Sequence, residues 1–303
     1  MKKILISGAT GLIGQKLVEA FLAQGMTVHY LSTGKSKLKT EERLKGFYWN
    51  PKQQIIDTAC FEGVSVIINL AGASIAKRWT PSYKEEIMNS RIQSIDLLAK
   101  SVKELNIKID HFISASAIGY YPSSEINFYD ENYKSESDAF LVKVVRQWEA
   151  AARQFTDLGI TETRIRIGLV LAEGGGALEE LAKPIRSLAG SALGTGKQWQ
   201  SWIHIDDVVG IFMYCLNNKI TGPVNAVAPN PVTNKVLVHA IAKTLNRFII
   251  LPNVPVSVLK LMLGEMHVII TEGQRVSSKK IEDLGYAFQY YQLDAALEDL
   301  LKA

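Results

Sequence analysis

An apolar run, Ile4, Leu5 and Ile6, leads straight into SGATGLIG at residues 7–14, and few sequence features restrict a fold as tightly. The spacing is GxxGxxG, which reads as a strand-to-helix turn shaped for a dinucleotide. Gly8 allows the sharp turn off the strand, Gly11 lets a pyrophosphate approach the backbone, and Gly14 lets the helix pack close to the strand. Backbone amides from Thr10 through Leu12 and Ile13, with the positive end of the helix, would neutralise phosphate charge without any basic side chain. The context favours this over an ordinary glycine turn. Ile13, Leu17 and Phe21, with Val18 and Leu22, repeat at helical spacing up to Gly25, and a second apolar run starts at Met26.

Strand 3–7, helix 11–24 and strand 26–31 make a complete βαβ unit, whose crossover should be right-handed. Residues 32–62 are polar and irregular, with short strands expected near 47–49 and 54–56. Val64 to Leu70 is a continuous apolar run, the pattern of a parallel strand buried on both faces. A long helix is expected over 81–105, a strand over 111–114, a helix over 138–158 and a strand over 163–171. This alternation specifies an α/β fold, a doubly wound parallel sheet of the Rossmann type. After Leu171 the chain changes character, with GGGAL at 174–178 and further glycines up to Trp199 and Trp202. The expected division is a dinucleotide-binding domain over 1–172, rejoined by about 201–228. A smaller C-terminal region, 173–200 and 229–303, would close over a substrate. Within 201–228, Asp206 is expected to cap a helix over 207–216.

Charge and cysteine usage exclude several classes. Lys plus Arg number 34 and Asp plus Glu 30, a net charge of +4 in 303 residues, and the basic residues form no dense run. Nucleic-acid binding gains no support from that pattern. Cys60 and Cys215 are far apart and outside any metal-ligand spacing, so neither a disulfide framework nor a zinc site is expected and a reducing cytoplasm fits. The first apolar run stops at Ser7, too soon for a signal peptide. The stretch 254–270 is broken by Lys260, Glu265 and His267, so no membrane span is expected. The sequence is silent on oligomeric state.

The end of the second strand bears on cofactor choice. An NAD-selective fold usually places an acid there to bond the ribose 2′-hydroxyl. Here the chain runs His29, Tyr30, Leu31, Ser32, Thr33, Gly34, Lys35. Small hydroxyls and a lysine stand where an acid would repel a 2′-phosphate, which favours NADP(H), unless Lys35 is simply a solvated loop lysine.

SGATGLIG does not stand alone. With INLAG at 68–72, RW at 78–79, SASAIGYY at 114–121, FLVKVVRQWE at 140–149, RIGLVL at 166–171, SWIHIDD at 201–207 and GE at 264–265, the chain resembles the atypical extended short-chain dehydrogenases/reductases. These are described as sugar-nucleotide epimerase-like, with a C-terminal domain of unknown function. The resemblance spans essentially the whole chain. It implies NADP(H) in the Rossmann part, with Asn69, Leu70, Ala71 and Gly72 closing a strand over the cofactor. It also implies a catalytic serine at Ser116 and places Trp79 on the substrate side.

The catalytic pattern of such enzymes is a tyrosine four residues before a lysine on one helix. Lys143 is present, but the position four before it is Ala139, so Lys143 is either a remnant of that pair or a solvated lysine. Tyr120 or Tyr121 could supply the proton, or both rings could pack a loop. Arg91 lies in phase with Ile87, Ile95 and Leu98 on the stripe facing the sheet, which suggests an anionic contact, the cofactor being the candidate. Arg164 and Arg166 share one face of an interior strand, where an anionic substrate or cofactor phosphate competes with a structural ion pair. Arg166 is the substrate-binding candidate of the two. His204, Asp206 and Asp207 lack a further ligand cluster, so His204 is read as packing and no metal is expected. The functional expectation is an NADP(H)-dependent oxidoreductase acting on a small, anionic or sugar-like substrate. The alternatives are a sugar-nucleotide epimerase or dehydratase that does not consume its nicotinamide, and a non-catalytic sensor of the NADPH to NADP ratio.

Overall fold

The computed structural model describes residues 2–302. Its centre is a sheet built from β1 (Lys3–Ser7), β2 (Thr27–Ser32), β3 (Leu44–Asn50), β4 (Ile55–Ile56), β5 (Val66–Asn69), β6 (His111–Ala117), β7 (Thr161–Ile167) and an edge strand, Gly222–Ala226. The order across the sheet is 222–226, β7, β6, β5, β1, β2, β3, β4, and every pair is parallel except β3 with β4. Chain direction along the order reverses between β1 and β5, the place where parallel open sheets leave a crevice beyond their C-terminal ends.

Helices cover both faces. α1 (Leu12–Ala23) packs against a helix over Ile205–Asn217, while α2 (Pro81–Glu104) packs against α3 (Phe140–Ala152). Both layers press on β6 and β7, so they take opposite faces of the sheet. That sandwich explains why Ile4, Leu5, Ile6, Ile67, Ile68, Phe112 and Ile113 are all fully buried and why their strands read as unbroken apolar runs.

The expected strand over 163–171 is two strands. Gly168 separates β7 from β8 (Leu169–Ala172), and a Cβ at Gly168 would lie 2.2 Å from the Ser201 carbonyl oxygen. β8 leaves the main sheet and pairs in parallel with Trp202–His204. It carries the chain into a second core, where Leu178, Trp202, Leu237, Ile241, Leu293 and Leu297 pack together. Helices Gly176–Arg186, Asn234–Thr244 and Leu293–Lys302 surround it. The chain returns to the first sheet through 205–226, a segment that ends on the edge strand Gly222–Ala226. The expected cap at Asp206 is corrected: His204 caps this helix by accepting from the Asp206 amide, and its ring stacks on Tyr290 at 3.8 Å. Asp207 is buried and accepts from Tyr286 Oη and the amides of Gln289 and Tyr290. Among the described residues no helix is long and apolar enough to cross a membrane.

Candidate functional site

Two openings lie along the C-terminal edge of the sheet. The larger, about 1010 Å³, is lined by Gly8, Thr10, Ser32, Thr33, Ala71 and Gly72, among others. At its centre the first glycine turn has the geometry of an anion cradle. Gly8 sits at φ +71°, and a Cβ there would lie 2.8 Å from the Leu70 carbonyl carbon. A Cβ at Gly14 would come within 2.2 Å of the Gly8 oxygen, so α1 can begin this close to β1 only with glycine. Gly11 differs: a Cβ there meets only the Gly8 oxygen, at 3.3 Å, so nothing in the fold itself needs this position bare. The space in front of it is free for a ligand. No side chain caps α1 and no acid stands in its first turn, which leaves the opening N–H groups for an anion.

Leu12 and Ile13 supply amides to that first turn, while their side chains point elsewhere. Leu12 lies beside Gly175 and Gly176, and Ile13 packs against both cores. Asn69 is fully buried and accepts from Ser7 Oγ at 2.5 Å, whereas its Nδ2 has no partner among the described residues. Leu70 packs against the first core, and Ala71 and Gly72 form the cleft wall.

At the far end of this cleft the lysine assignment is corrected. Lys35 stands over the ring of Tyr48, 5.0 Å from its centroid, and is not on the cleft wall. Lys37 and Lys52 are on the wall, beside Ser32, Thr33 and Asn50. The sequence signal for Lys52 was the turn Asn50-Pro51-Lys52 that ends β3, whose parallel pairing with β2 was not foreseen.

The smaller opening, about 220 Å³, shares no lining residue with the larger. Arg91 lies beside both. Its side chain lies against Gly72, where a Cβ would be 3.1 Å from the Arg91 Cζ, and it also lines the small pocket. Its Nη1 donates to the carbonyl oxygens of Ala73 (3.1 Å) and Ile87 (2.8 Å), and the guanidinium lies 5.0 Å from the Trp148 ring centroid. These carbonyls are the partners the charge required, so an anion is not needed to explain its position. Burial lowers its pKa to about 10, which leaves it cationic at neutral pH.

None of the four catalytic candidates reaches this pocket. Ser116 is corrected first: it is buried and donates to Glu149 Oε1 at 2.7 Å. Tyr121 is fully buried, donates to Asn225 Oδ1 and accepts from Arg166 Nη1. Burial raises its pKa, with Arg166 opposing, so it is a poor proton donor in the interior. Tyr120 packs its ring on the Arg166 guanidinium at 3.6 Å. Lys143 is half exposed and pairs with Asp138 at 3.1 Å.

Arg166 and Trp79 are corrected as well. Glu149 grips Arg166 through both oxygens, at 2.7 Å to Nε and 2.9 Å to Nη2, and Arg166 is only 2% exposed. Burial alone would lower its pKa, but the bonds and charge of Glu149 hold it well above the ordinary value. Arg164 shares the network through Glu149 and Glu162. The interior strand carries arginines because a carboxylate on α3 meets them, the ion-pair alternative. Trp79 is buried against Phe140 and donates from Nε1 to the Ile75 oxygen. Arg166 and Trp79 thus each bond to partners within the protein.

The face of α3 that does reach the pocket is apolar: Leu141, Val144, Val145 and Trp148. Ala117, Ile118, Ile167 and Leu169 come from the strand ends, and the segment Val268–Gln274 roofs the pocket. Leu141, Val145 and Trp148 recur at i, i+4 and i+7, and that stripe was the legible signal for the true facing side of the helix.

A model of the NAD dependent epimerase/dehydratase family matches residues 4–227. The chain belongs to that family. Residues 254–300 match a second model, Domain of unknown function (DUF1731). An epimerase family protein of Staphylococcus aureus (strain N315) is 36% identical over the full length of both chains. An epimerase family protein of Staphylococcus haemolyticus is 35% identical, again over both full lengths. Among solved structures, human epimerase family protein SDR39U1 (isoform 2) with NADPH superposes with TM-score 0.85 at 27% identity, covering 99% of each chain. UDP-glucuronic acid 4-epimerase of Bacillus cereus, in complex with UDP-glucuronic acid and NAD, superposes with TM-score 0.78 at 17% identity over 98% of this chain and 97% of that one. This last likeness concerns the fold. The family is one that binds an NAD(P) dinucleotide.

Proposed function

We propose that this protein is an NADP(H)-dependent oxidoreductase whose substrate is a small, largely apolar carbonyl compound or the corresponding alcohol. The observation that carries the reading is adjacency: Gly72, on the wall of the large cleft that also holds Gly8 and Thr10 of the cradle, packs against Arg91, which lines the small pocket. The cradle would hold the pyrophosphate, Ser32, Thr33, Lys37 and Lys52 the 2′-phosphate, and the pocket the nicotinamide with the substrate. The bound cofactor supplies hydride chemistry. The chain's own residues orient the substrate and keep water out, through the apolar walls from α3 and the strand ends.

The pocket lining also bears on the substrate class. A sugar ring needs hydrogen-bond partners around its hydroxyls, and each one left buried without a partner costs about 1–3 kcal/mol. Leu141, Val144, Val145, Ile118, Ile167 and Ile269 offer none, and the polar side chains of the lining are few: Arg91, Gln200, Ser201, Glu272 and Gln274. The largely apolar lining favours a small carbonyl compound over a sugar nucleotide. A second reading, a non-catalytic sensor of the NADPH to NADP ratio, is favoured by the aliphatic pair Leu141 and Val145 on the helix that usually bears the tyrosine and lysine.

The test combines binding with turnover. Calorimetry should show NADPH binding to the folded protein and none to Gly11→Val, whose added side chain fills the cradle while meeting little of the protein. A panel of small aliphatic and aromatic aldehydes and ketones should oxidise NADPH slowly, while UDP-sugars should not. If no carbonyl compound exceeds background, yet NADPH and NADP give different protease sensitivity in the C-terminal region, the sensor reading replaces this one.

A further inference from the structure

Among the described residues, the small pocket is lined by one carboxylate residue, Glu272, and one cationic residue, Arg91, and by no other ionisable side chain. Glu272 directly follows the helical turn Val268–Thr271 and precedes Gly273, whose backbone is locked to the loop 123–124 through Ser123 Oγ and the Ser124 amide. Gly273 also lies so close to Trp199 that a Cβ would be 2.0 Å from the Trp199 oxygen. The backbone next to Glu272 is thus anchored beside a pocket whose other walls are mostly hydrocarbon. Among the described residues its carboxylate makes no hydrogen bond or ion pair with another side chain.

We infer that Glu272 is the proton-exchanging group of this site, standing in for the phenol that α3 lacks. The inference rests on the proposed cofactor reading and deepens it. In the reductive direction Glu272 gives its carboxyl proton to the substrate oxygen as the carbonyl carbon receives a hydride, with its electron pair, from the reduced nicotinamide. The C=O π bond breaks, one C–H and one O–H bond form, the nicotinamide is left oxidised, and Glu272 is left as carboxylate. Because Glu272 is exposed on its outer side, water can return the proton. Burial of its inner side raises its pKa above the ordinary carboxylate value, with His267 opposing, which keeps more of the acid form available.

The same placement gives a readout independent of turnover. An oxidised nicotinamide ring carries a positive charge and the reduced ring does not. Ionised Glu272 therefore favours the oxidised dinucleotide, and the preference fades as pH falls and the carboxyl protonates. The charged groups around it are His267 five residues earlier and Arg91 in the pocket wall. The Glu272→Gln variant separates it from these, since it keeps His267 and loses only the carboxyl.

The experiment measures affinities of NADP and NADPH for the full-length protein and for Glu272→Gln between pH 4 and pH 8. For the wild type the ratio should shift toward NADP with rising pH, on the order of a hundredfold for unit charges about 6 Å apart at an effective dielectric of about 20. The variant should show a flat ratio. It should also lower kcat for carbonyl reduction and remove the limb of the pH profile that reports the acid. Parallel curves for the two proteins overturn the role of Glu272 while leaving cofactor binding intact. Failure of both proteins to bind either dinucleotide overturns the cofactor reading and this inference with it.

Discussion

Leu141 and Val145 stand one turn apart on α3 and converge on Gly119, each 3.7 Å from the place where a side chain at that glycine would begin. Two residues away from Leu141, Lys143 lies about 200° further round the helix, given 3.6 residues per turn. It therefore points to solvent and Asp138 while the aliphatic pair takes the pocket.

The first prediction follows from that phase. Lys143→Met should leave NADPH affinity within about twofold and stability within about 0.5 kcal/mol, as expected of an exposed site outside any network. Calorimetry and urea unfolding measure both. A tenfold loss of affinity or of turnover would return Lys143 to the site.

Cofactor choice supplies the second. With no acid at the end of β2 and with Lys37 and Lys52 on the cleft wall, NADP(H) should bind at least about tenfold more tightly than NAD(H), roughly 1.4 kcal/mol. Thr33→Asp should reverse the preference by placing a negative charge beside the 2′-phosphate. Lys37→Ala should weaken NADPH and leave NADH nearly unchanged. Equal loss for the two dinucleotides would place Lys37 elsewhere than at the 2′-phosphate.

The third concerns the buried network. Removing one member of a buried pair leaves the other charge uncompensated, typically at about 3–5 kcal/mol. Glu149→Ala strands Arg166 and takes an ion-pair partner from Arg164, so denaturant unfolding should show a loss of that order. A loss below about 1 kcal/mol would mean that water reaches the arginines once the carboxylate is gone.

The sheet was legible in the sequence because its physics is local. Unbroken apolar runs at 4–6 and 66–68 announce strands covered on both faces, and the glycine turn between β1 and α1 needs only eight consecutive residues to identify. The catalytic candidates were less legible because their partners are remote. Ser116 and Arg166 look available in sequence, yet Glu149 occupies both, and 33 and 17 residues respectively separate it from them. Lys35 looked right for a phosphate because it is nearest to β2 in the chain; the path of β3 instead brings Lys52 to the cleft. Glu272 had no sequence signal of its own, since its position depends on how the C-terminal region folds back over β6 and β7.

The fourth prediction joins packing to pH. His111 begins β6, is 2% exposed, and meets Thr163 Oγ1 at 2.7 Å through Nε2, while its Nδ1 has no partner among the described residues. Burial, helped by Lys2 and Lys219, lowers its pKa to about 4. In the unfolded chain it would titrate near 6.5, so between these values the unfolded state binds a proton that the native state refuses. The stabilisation is therefore complete above about pH 6.5 and is lost as pH falls toward 4. Between pH 7 and pH 5 this single group should cost about 2 kcal/mol by linkage. His29 and His204 also have lowered pKa values through burial, so the wild-type slope contains more than one histidine. Comparison with His111→Gln isolates the one of interest: urea unfolding of the variant should show a pH 7 to pH 5 loss smaller by about 2 kcal/mol, whatever its absolute stability. Equal slopes in the two proteins would mean that His111 accepts a proton in the native state, with its free Nδ1 reached by water.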